Sequence, residues 1–145
     1  MKIFFNKKRL VKEIQNTKDL GFVPTMGSIH KGHLSLIKKS KKLSSKTIVS
    51  IFVNKPQFNN KNDFKKYPRS IKKDINLLKK SKIDYLYLPS AKEIYPHGRN
   101  KNIKISKWKR ILCGKNRKGH FEAVVDVVDR FIKIIKPSKI YLGEK

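Results

Sequence analysis

Cysteine is almost absent: Cys113 is the only one among 145 residues. An intrachain disulfide is therefore excluded, which fits a reducing compartment. Long apolar runs are missing too. "MKIFFNKKRL" returns to charge after Phe5, far short of the roughly 7–15 residues of a secretory core or the about 20 of a membrane helix. The expectation is a soluble, cytoplasmic protein with no membrane partner. Acidic residues are scarce, 10 against 37 basic ones, for a formal net charge of +27. No internal repeat or low-complexity linker breaks the chain. One domain over 1–145 is expected, since domains commonly run to about 100–150 residues. A chain of this size buries roughly 68–70% of its unfolded surface and needs no covalent staple.

So basic a composition suggests nucleic acid first. The kind of base argues otherwise. Only Arg9, Arg69, Arg99, Arg110, Arg117 and Arg130 are arginine, and the other basic residues are lysines spread over every segment. Sequence-specific readers favour the bidentate fork of arginine. The aromatic residues do not interleave with the basic runs as stacking platforms would. A solvated lysine surface is the better reading, and no specific nucleic-acid partner is expected. Incidental binding to polyanions should fade steeply with salt.

The periodicity alternates. "DLGFVPTMG" starts apolar and ends in Pro, Thr and Gly, as a buried strand running into a loop does. Leu34, Ile37 and Leu43 then recur at helical spacing. "TIVSIFVN" (47–54) is a charge-free β-branched run, the look of a strand covered on both faces. "SIKKDINLLKKSK" reads as a helix with Ile71, Ile75 and Leu78 on one face. "YLYL" (85–88) reads as a strand and "IKI" (103–105) as a short one. "FEAVVDVVDRFIKIIK" is the strongest helix, with Val124, Val128, Phe131 and Ile135 as its stripe, and "KIYLGEK" begins another strand. Strands alternating with helices predict an α/β fold: a Rossmann-like, doubly wound parallel sheet with helices on both faces. Such sheets bind ligands outside the carboxyl ends of their strands. Three loops leave strand ends here: "PTMGSIHKGH", "NKPQFNN" and "GEK".

The first of these loops carries the chemistry. A helix starting near His33 offers backbone N–H groups and a positive dipole end, which suit an anion. Gly27 and Gly32 would let a phosphate, or an adenine or ribose, come close. His30 and His33 can both donate to phosphate oxygens. Other readings are two surface histidines or half of a zinc site. Zinc wants three or four ligands, and His97 and His120 lie in unrelated contexts.

"FVPTMGSIHKGHLSLI" closely resembles the nucleotide-binding loop of the pantothenate synthetase (pantoate–β-alanine ligase) family, in the H-x-G-H nucleotidyltransferase superfamily. "VSIFVNKPQF", "DFKKYPRSIKKD", "YLPSAKEIYP", "LCGKNRKGHF" and "YLGEK" resemble further family segments, in order. The resemblance implies an AMP-forming ligase that uses ATP and magnesium. Pantoate is adenylated with loss of pyrophosphate, and β-alanine then displaces AMP to give pantothenate on the way to coenzyme A. It implies that Met26, Gly27, Ser28, Ile29, His30, Lys31, Gly32 and His33, with Gly143, Glu144 and Lys145, hold ATP. His30 and His33 are the catalytic pair. His33 stands where the family places a proton donor, but adenylyl transfer from a carboxylate has no evident proton to move, so its role is read as charge stabilisation. Gln57 matches the residue that holds pantoate, and its amide both donates and accepts. Asp74 matches a carboxylate near magnesium, or else is an exposed helix residue among lysines. Tyr67 and Arg69 are expected to shape the same wall. His120 either lines the site or is structural. A homodimer is implied as well.

Departures from the family pattern set further expectations. Pro56 falls one place late in "NKPQF", so the backbone path before Gln57 is expected to differ. Ala123 stands where the family usually has Gly, and Asp126 where it often has Thr. Relatives are expected to be about twice this long, with a second phosphate-clamping loop and a C-terminal domain beyond the 145 residues, so the chain is expected to be either a fragment of a longer one or a truncated form. The 145-residue chain alone is then expected to bind ATP weakly and ligate little. Two other readings stand beside the ligase: another H-x-G-H adenylyltransferase, or a non-catalytic basic module that holds nucleotide or RNA.

Overall fold

The computed structural model describes residues 1–99 and 119–143. Its strands are β1 (Lys2–Phe4), β2 (Leu20–Thr25), β3 (Lys46–Ile51), β4 (Tyr85–Tyr87) and β5 (Lys139–Ile140). Its helices are α1 (Lys7–Ile14), α2 (Lys31–Leu43), α3 (Lys61–Lys66), α4 (Ile71–Lys80), α5 (Ala91–Ile94) and α6 (His120–Ile135), with a 3-10 turn at Lys55–Gln57. The strands pair in the order β1-β4-β3-β2-β5, all parallel.

Side chains alternate across the sheet as a period of two requires. Leu20, Phe22, Ile48, Tyr85 and Tyr87 join a core with Leu10 and Ile14 of α1 and Val127, Phe131 and Ile134 of α6. Val23, Val49, Ile51 and Leu86 join a second core with Ile37 of α2 and Leu78 of α4. Both faces are covered, so the charge-free run in β3 is fully buried, as parallel strands are. The doubly wound α/β reading holds.

The sequence reading missed some elements. β1 is a short, partly exposed edge strand, and α1 buries only Leu10 and Ile14. Neither makes a long periodic signal. Stripe positions also shift. Leu43 and Ile71 end up exposed. On α6, Ala123, Val127, Phe131, Ile134 and Ile135 face the core, while Val124 and Val128 are half-buried. The reading of a strand at 103–105 lies outside the described residues.

The chain runs from β2 through β3 to β4 on one side, and β5 returns to the other side of β2. This reversal leaves a crevice beyond the ends of β2 and β5, the position where open α/β sheets bind ligands. Pro24 fits there without losing a ladder bond. Phe22 turns its carbonyl toward β5 and accepts the Tyr141 N–H at 2.9 Å. Pro24, two residues on, faces the same way but lies past the last β5 pair. β2 therefore runs through Pro24 to Thr25, past the point where the Pro-Thr-Gly signal suggests that the loop begins.

Candidate functional site

The loop from Met26 to His30 leaves β2 through two left-handed residues, Gly27 at φ 80° and Ser28 at φ 51°. Glycine takes this conformation freely, but serine does so at a cost. Asp74 on α4 compensates. Its Oδ2 accepts the Ser28 N–H at 3.0 Å, and its Oδ1 accepts the Ile29 N–H at 2.8 Å. Asp74 is not the exposed helix residue of the plain reading, because only 3% of it is accessible. Thr25 Oγ1 accepts the Gly27 N–H at 3.1 Å, and Ser28 Oγ donates to the Pro68 carbonyl at 3.0 Å. Ile29 is buried in the α2–α4 core and anchors the loop's far end.

His30 is the N-cap of α2, so the helix begins at Lys31, ahead of His33. Its Nδ1 accepts the Gly32 N–H at 3.1 Å, while His33 Nδ1 accepts the His30 N–H at 3.3 Å. This is a reciprocal capping box built from two imidazoles. The rings lie with centroids 4.0 Å apart. A neutral imidazole that accepts at Nδ1 carries its proton at Nε2. Each ring thus keeps one donor, Nε2–H. Burial, then the neighbouring His30, pushes the His33 pKa below its ordinary value, opposed by Asp74.

Gly32 has a purpose within the protein itself. A Cβ at Gly32 would stand 2.8 Å from Cε1 of His30, so the glycine makes space for the capping ring. At Gly27 a Cβ would meet Asp74 Oδ2 at 3.0 Å and Ile51 Cγ2 at 3.1 Å. The pin from α4 and the left-handed turn both require glycine there.

A cavity of about 310 Å³ opens beside the loop. Its polar wall includes Thr25, Ser28, His30, His33, Asn54, Gln57 and Tyr67, and its apolar floor includes Phe52, Val124, Val127, Val128, Phe131 and Leu142. Met26 also lines it, as does Pro24. Phe131 packs on Phe22, Phe52 and Tyr87 with centroids 5.7–6.0 Å apart, so the floor is rigid.

Gln57 reaches the cavity from the 3-10 turn, where Pro56 occupies the first turn and its missing N–H is not needed. The displaced proline is thereby accommodated. Gln57 Oε1 accepts from Asn54 Nδ2 at 3.0 Å, which leaves the Gln57 NH2 group to donate. Asn54, 1% exposed, also donates to the Ala123 carbonyl at 3.3 Å and accepts from the Tyr95 hydroxyl at 2.5 Å. His120 is buried, and its Nδ1 donates to the Gln57 backbone carbonyl at 2.9 Å. It pins the turn and also lines a neighbouring cavity of about 290 Å³ with Met26, Gln57 and Asp63.

The remaining expected site residues divide. Tyr67 lines the main cavity, and burial, then Asp74, raises its pKa, so its hydroxyl stays protonated. Arg69 does not share that wall. It caps α3, donating to the carbonyls of Phe64, Lys65 and Tyr67, and lies 4.8 Å over the Phe64 ring. Lys31 is exposed and is not among the residues that line the cavity. Gly143 is exposed just past Leu142. Glu144 and Lys145 lie outside the described residues. Among the described residues, no group of three or more His, Cys, Asp or Glu is placed to hold a metal ion, and no helix is long and apolar enough to cross a membrane. Asn54, Phe52 and Leu142 were not singled out from sequence. Asn54 had a readable cue, a polar side chain that closes the charge-free run 47–54 just past β3.

The family model for pantoate-beta-alanine ligase matches residues 2–145. The chain is 44% identical to the pantothenate synthetase of Pseudothermotoga lettingae, over 95% of this chain and 49% of that one. It is 49% identical to that of Francisella tularensis subsp. novicida, over 87% of this chain and 49% of that one. The solved structure of pantoate-beta-alanine ligase from Francisella tularensis, complexed with beta-gamma ATP and beta-alanine, superposes with a TM-score of 0.95 at 44% identity. That match covers 100% of this chain and 57% of the other. Pantothenate synthetase from Thermus thermophilus gives a TM-score of 0.92 at 33% identity, over 100% of this chain and 52% of that one. The chain spans about half the length of the relatives it matches.

Proposed function

The chain belongs to the pantoate-beta-alanine ligase family, and from that premise we propose that it takes part in the ATP-dependent condensation of pantoate with β-alanine. A pantoate carboxylate oxygen attacks the α-phosphorus of ATP, and pyrophosphate leaves. The β-alanine amine then attacks the acyl carbon of pantoyl adenylate, and AMP leaves. The product is pantothenate, a precursor of coenzyme A.

The observation that carries this reading is the pairing of donors around one cavity. His30 and His33, each with Nε2–H left to donate, and Gln57, with its NH2 group left to donate, line the same cavity. The histidines hold phosphate oxygens as charge builds at the α-phosphorus. The lowered pKa of His33 fits a neutral donor, so it stabilises charge rather than delivering a proton. Gln57 donates to pantoate, and the apolar floor of Phe52, Val127 and Phe131 suits its gem-dimethyl carbon and keeps water from the mixed anhydride. Met26, Gly27, Ser28 and Ile29 shape the turn that carries the histidines. Lys31, Gly143, Glu144 and Lys145 belong to the nucleotide side by resemblance, as do a homodimeric state and a cytoplasmic location.

Magnesium is implied by the same resemblance, but Asp74 does not fit as its ligand. Each of its oxygens is committed to a loop N–H, and the residue is 3% exposed. Asp74 acts as the pin of the nucleotide loop.

AMP release from ATP and magnesium, with and without each acid, tests the proposal. Release that requires both pantoate and β-alanine is the expected result. Adenylation that ignores pantoate would instead favour a different H-x-G-H adenylyltransferase.

A further inference from the structure

Gln57 can serve an anionic substrate only if its amide presents N–H groups to the cavity. Nothing in a glutamine side chain fixes this, because its two ends have nearly the same shape. Asn54 fixes it by donating to Gln57 Oε1. The orientation of Asn54 is fixed in turn by the Ala123 carbonyl, and the Tyr95 hydroxyl, which can donate or accept, holds the amide in place from the other end. The Ala123 carbonyl can only accept, so it holds Nδ2, and the Tyr95 hydroxyl donates to Oδ1.

Tyr95 itself is clamped by one side chain of α6. Arg130 donates to the Ile94 carbonyl at 2.9 Å and to the Gly98 carbonyl at 3.0 Å, on either side of Tyr95 in sequence. Its guanidinium lies 4.5 Å from the centre of the Tyr95 ring. Nε of Arg130 donates to Asp126 Oδ1 at 2.8 Å, four residues earlier on the helix, where the carboxylate is 5% exposed. Asp126 is the position where the family often has Thr.

We propose that Tyr95, clamped by Arg130 and Asp126, is a positioning residue that holds the Asn54–Gln57 amide pair in its donor orientation and so sets the preference for a carboxylate-bearing substrate. The inference rests on the pantoate reading above. Burial, then Asp126, pushes the Tyr95 pKa up to about 12, so the hydroxyl remains a donor across any assay range. Without that hydroxyl, a buried Asn54 Oδ1 loses its donor. The side chain then gains by turning away, and the Gln57 amide is released. Losing one such bond corresponds to about a tenfold loss of binding.

Tyr95→Phe and Arg130→Lys, made in the full chain, test this. The first readout is the side-chain amide resonances of Asn54 and Gln57 in ¹⁵N spectra, without ligand. The second is the affinity for pantoate and, separately, for ATP with magnesium. The expected result is displaced amide resonances in both variants, pantoate affinity down about tenfold, and ATP affinity essentially unchanged. Unmoved resonances would overturn the proposal. So would equal pantoate affinity in wild type and Tyr95→Phe, or a parallel loss of both ligands, which marks a merely structural role. Resonances that move while neither chain binds pantoate uphold the positioning and sink the substrate reading beneath it.

Discussion

His33 accepts the backbone N–H of His30 through Nδ1, while His30 turns its own Nδ1 to the N–H of Gly32. The two imidazoles thus close the first turn of α2 and fix each other's tautomer. His33→Ala removes the proposed phosphate donor and a cap together. ATP affinity is expected to fall about 10- to 100-fold, since a hydrogen bond to a charged group is worth about 1.5–3 kcal/mol. Titration calorimetry on the two proteins checks this.

The same residue gives a pH signature. Folding lowers the His33 pKa from its ordinary 6.5, mainly through burial. The folded state therefore binds fewer protons at this site than the unfolded one. Its contribution to stability is complete above pH 6.5 and is lost as the pH falls through the depressed folded value. The difference in unfolding free energy between wild type and His33→Ala should shift against the wild type on acidification. Urea unfolding at stepped pH checks it, and a difference that grows in favour of wild type would contradict it.

Gly32→Ala separates folding from binding. Alanine favours a helical position by about 1 kcal/mol over glycine, but its Cβ would stand 2.8 Å from His30 Cε1. The ring has to move. Thermal stability is expected to hold or change little, while ATP affinity falls several-fold. A variant that binds ATP as well as wild type would refute the cradle assigned to this glycine.

Asp74→Asn keeps shape but turns an NH2 toward a backbone N–H. The left-handed Ser28 at φ 51° then loses half of its pin. The expected cost is about 2–3 kcal/mol, read by urea unfolding. Amide exchange at Ser28 and Ile29 should quicken, and ATP binding should weaken with it. Unchanged exchange at both amides would exclude the pinning role.

The fold was largely legible because buried parallel strands leave charge-free apolar runs, as in 47–54, and amphipathic helices leave a strong period, as in α6. β1 and α1 were not, since β1 offers three edge residues and α1 is a helix of only 8 residues whose Leu10, Val11 and Ile14 stripe is too short to stand out among lysines. The loop around His30 was recognisable, but its internal logic was not. Whether Gly32 faces a ligand or a histidine ring is decided by a side-chain rotamer, which spacing does not encode. Asp74 and Arg69 likewise acquire their roles from partners 46 and 5 residues away. Asn54 and Tyr95, 41 residues apart, meet only through the sheet.

The central claim is that one cavity holds ATP through the His30–His33 pair and pantoate through Gln57. Its most direct test is calorimetric titration of ATP with magnesium, in the absence and presence of pantoate, for wild type, His33→Ala and Gln57→Ala. The account predicts that wild type binds both ligands, that His33→Ala loses ATP, and that Gln57→Ala loses pantoate while keeping ATP. Full binding of both ligands by both variants would contradict it.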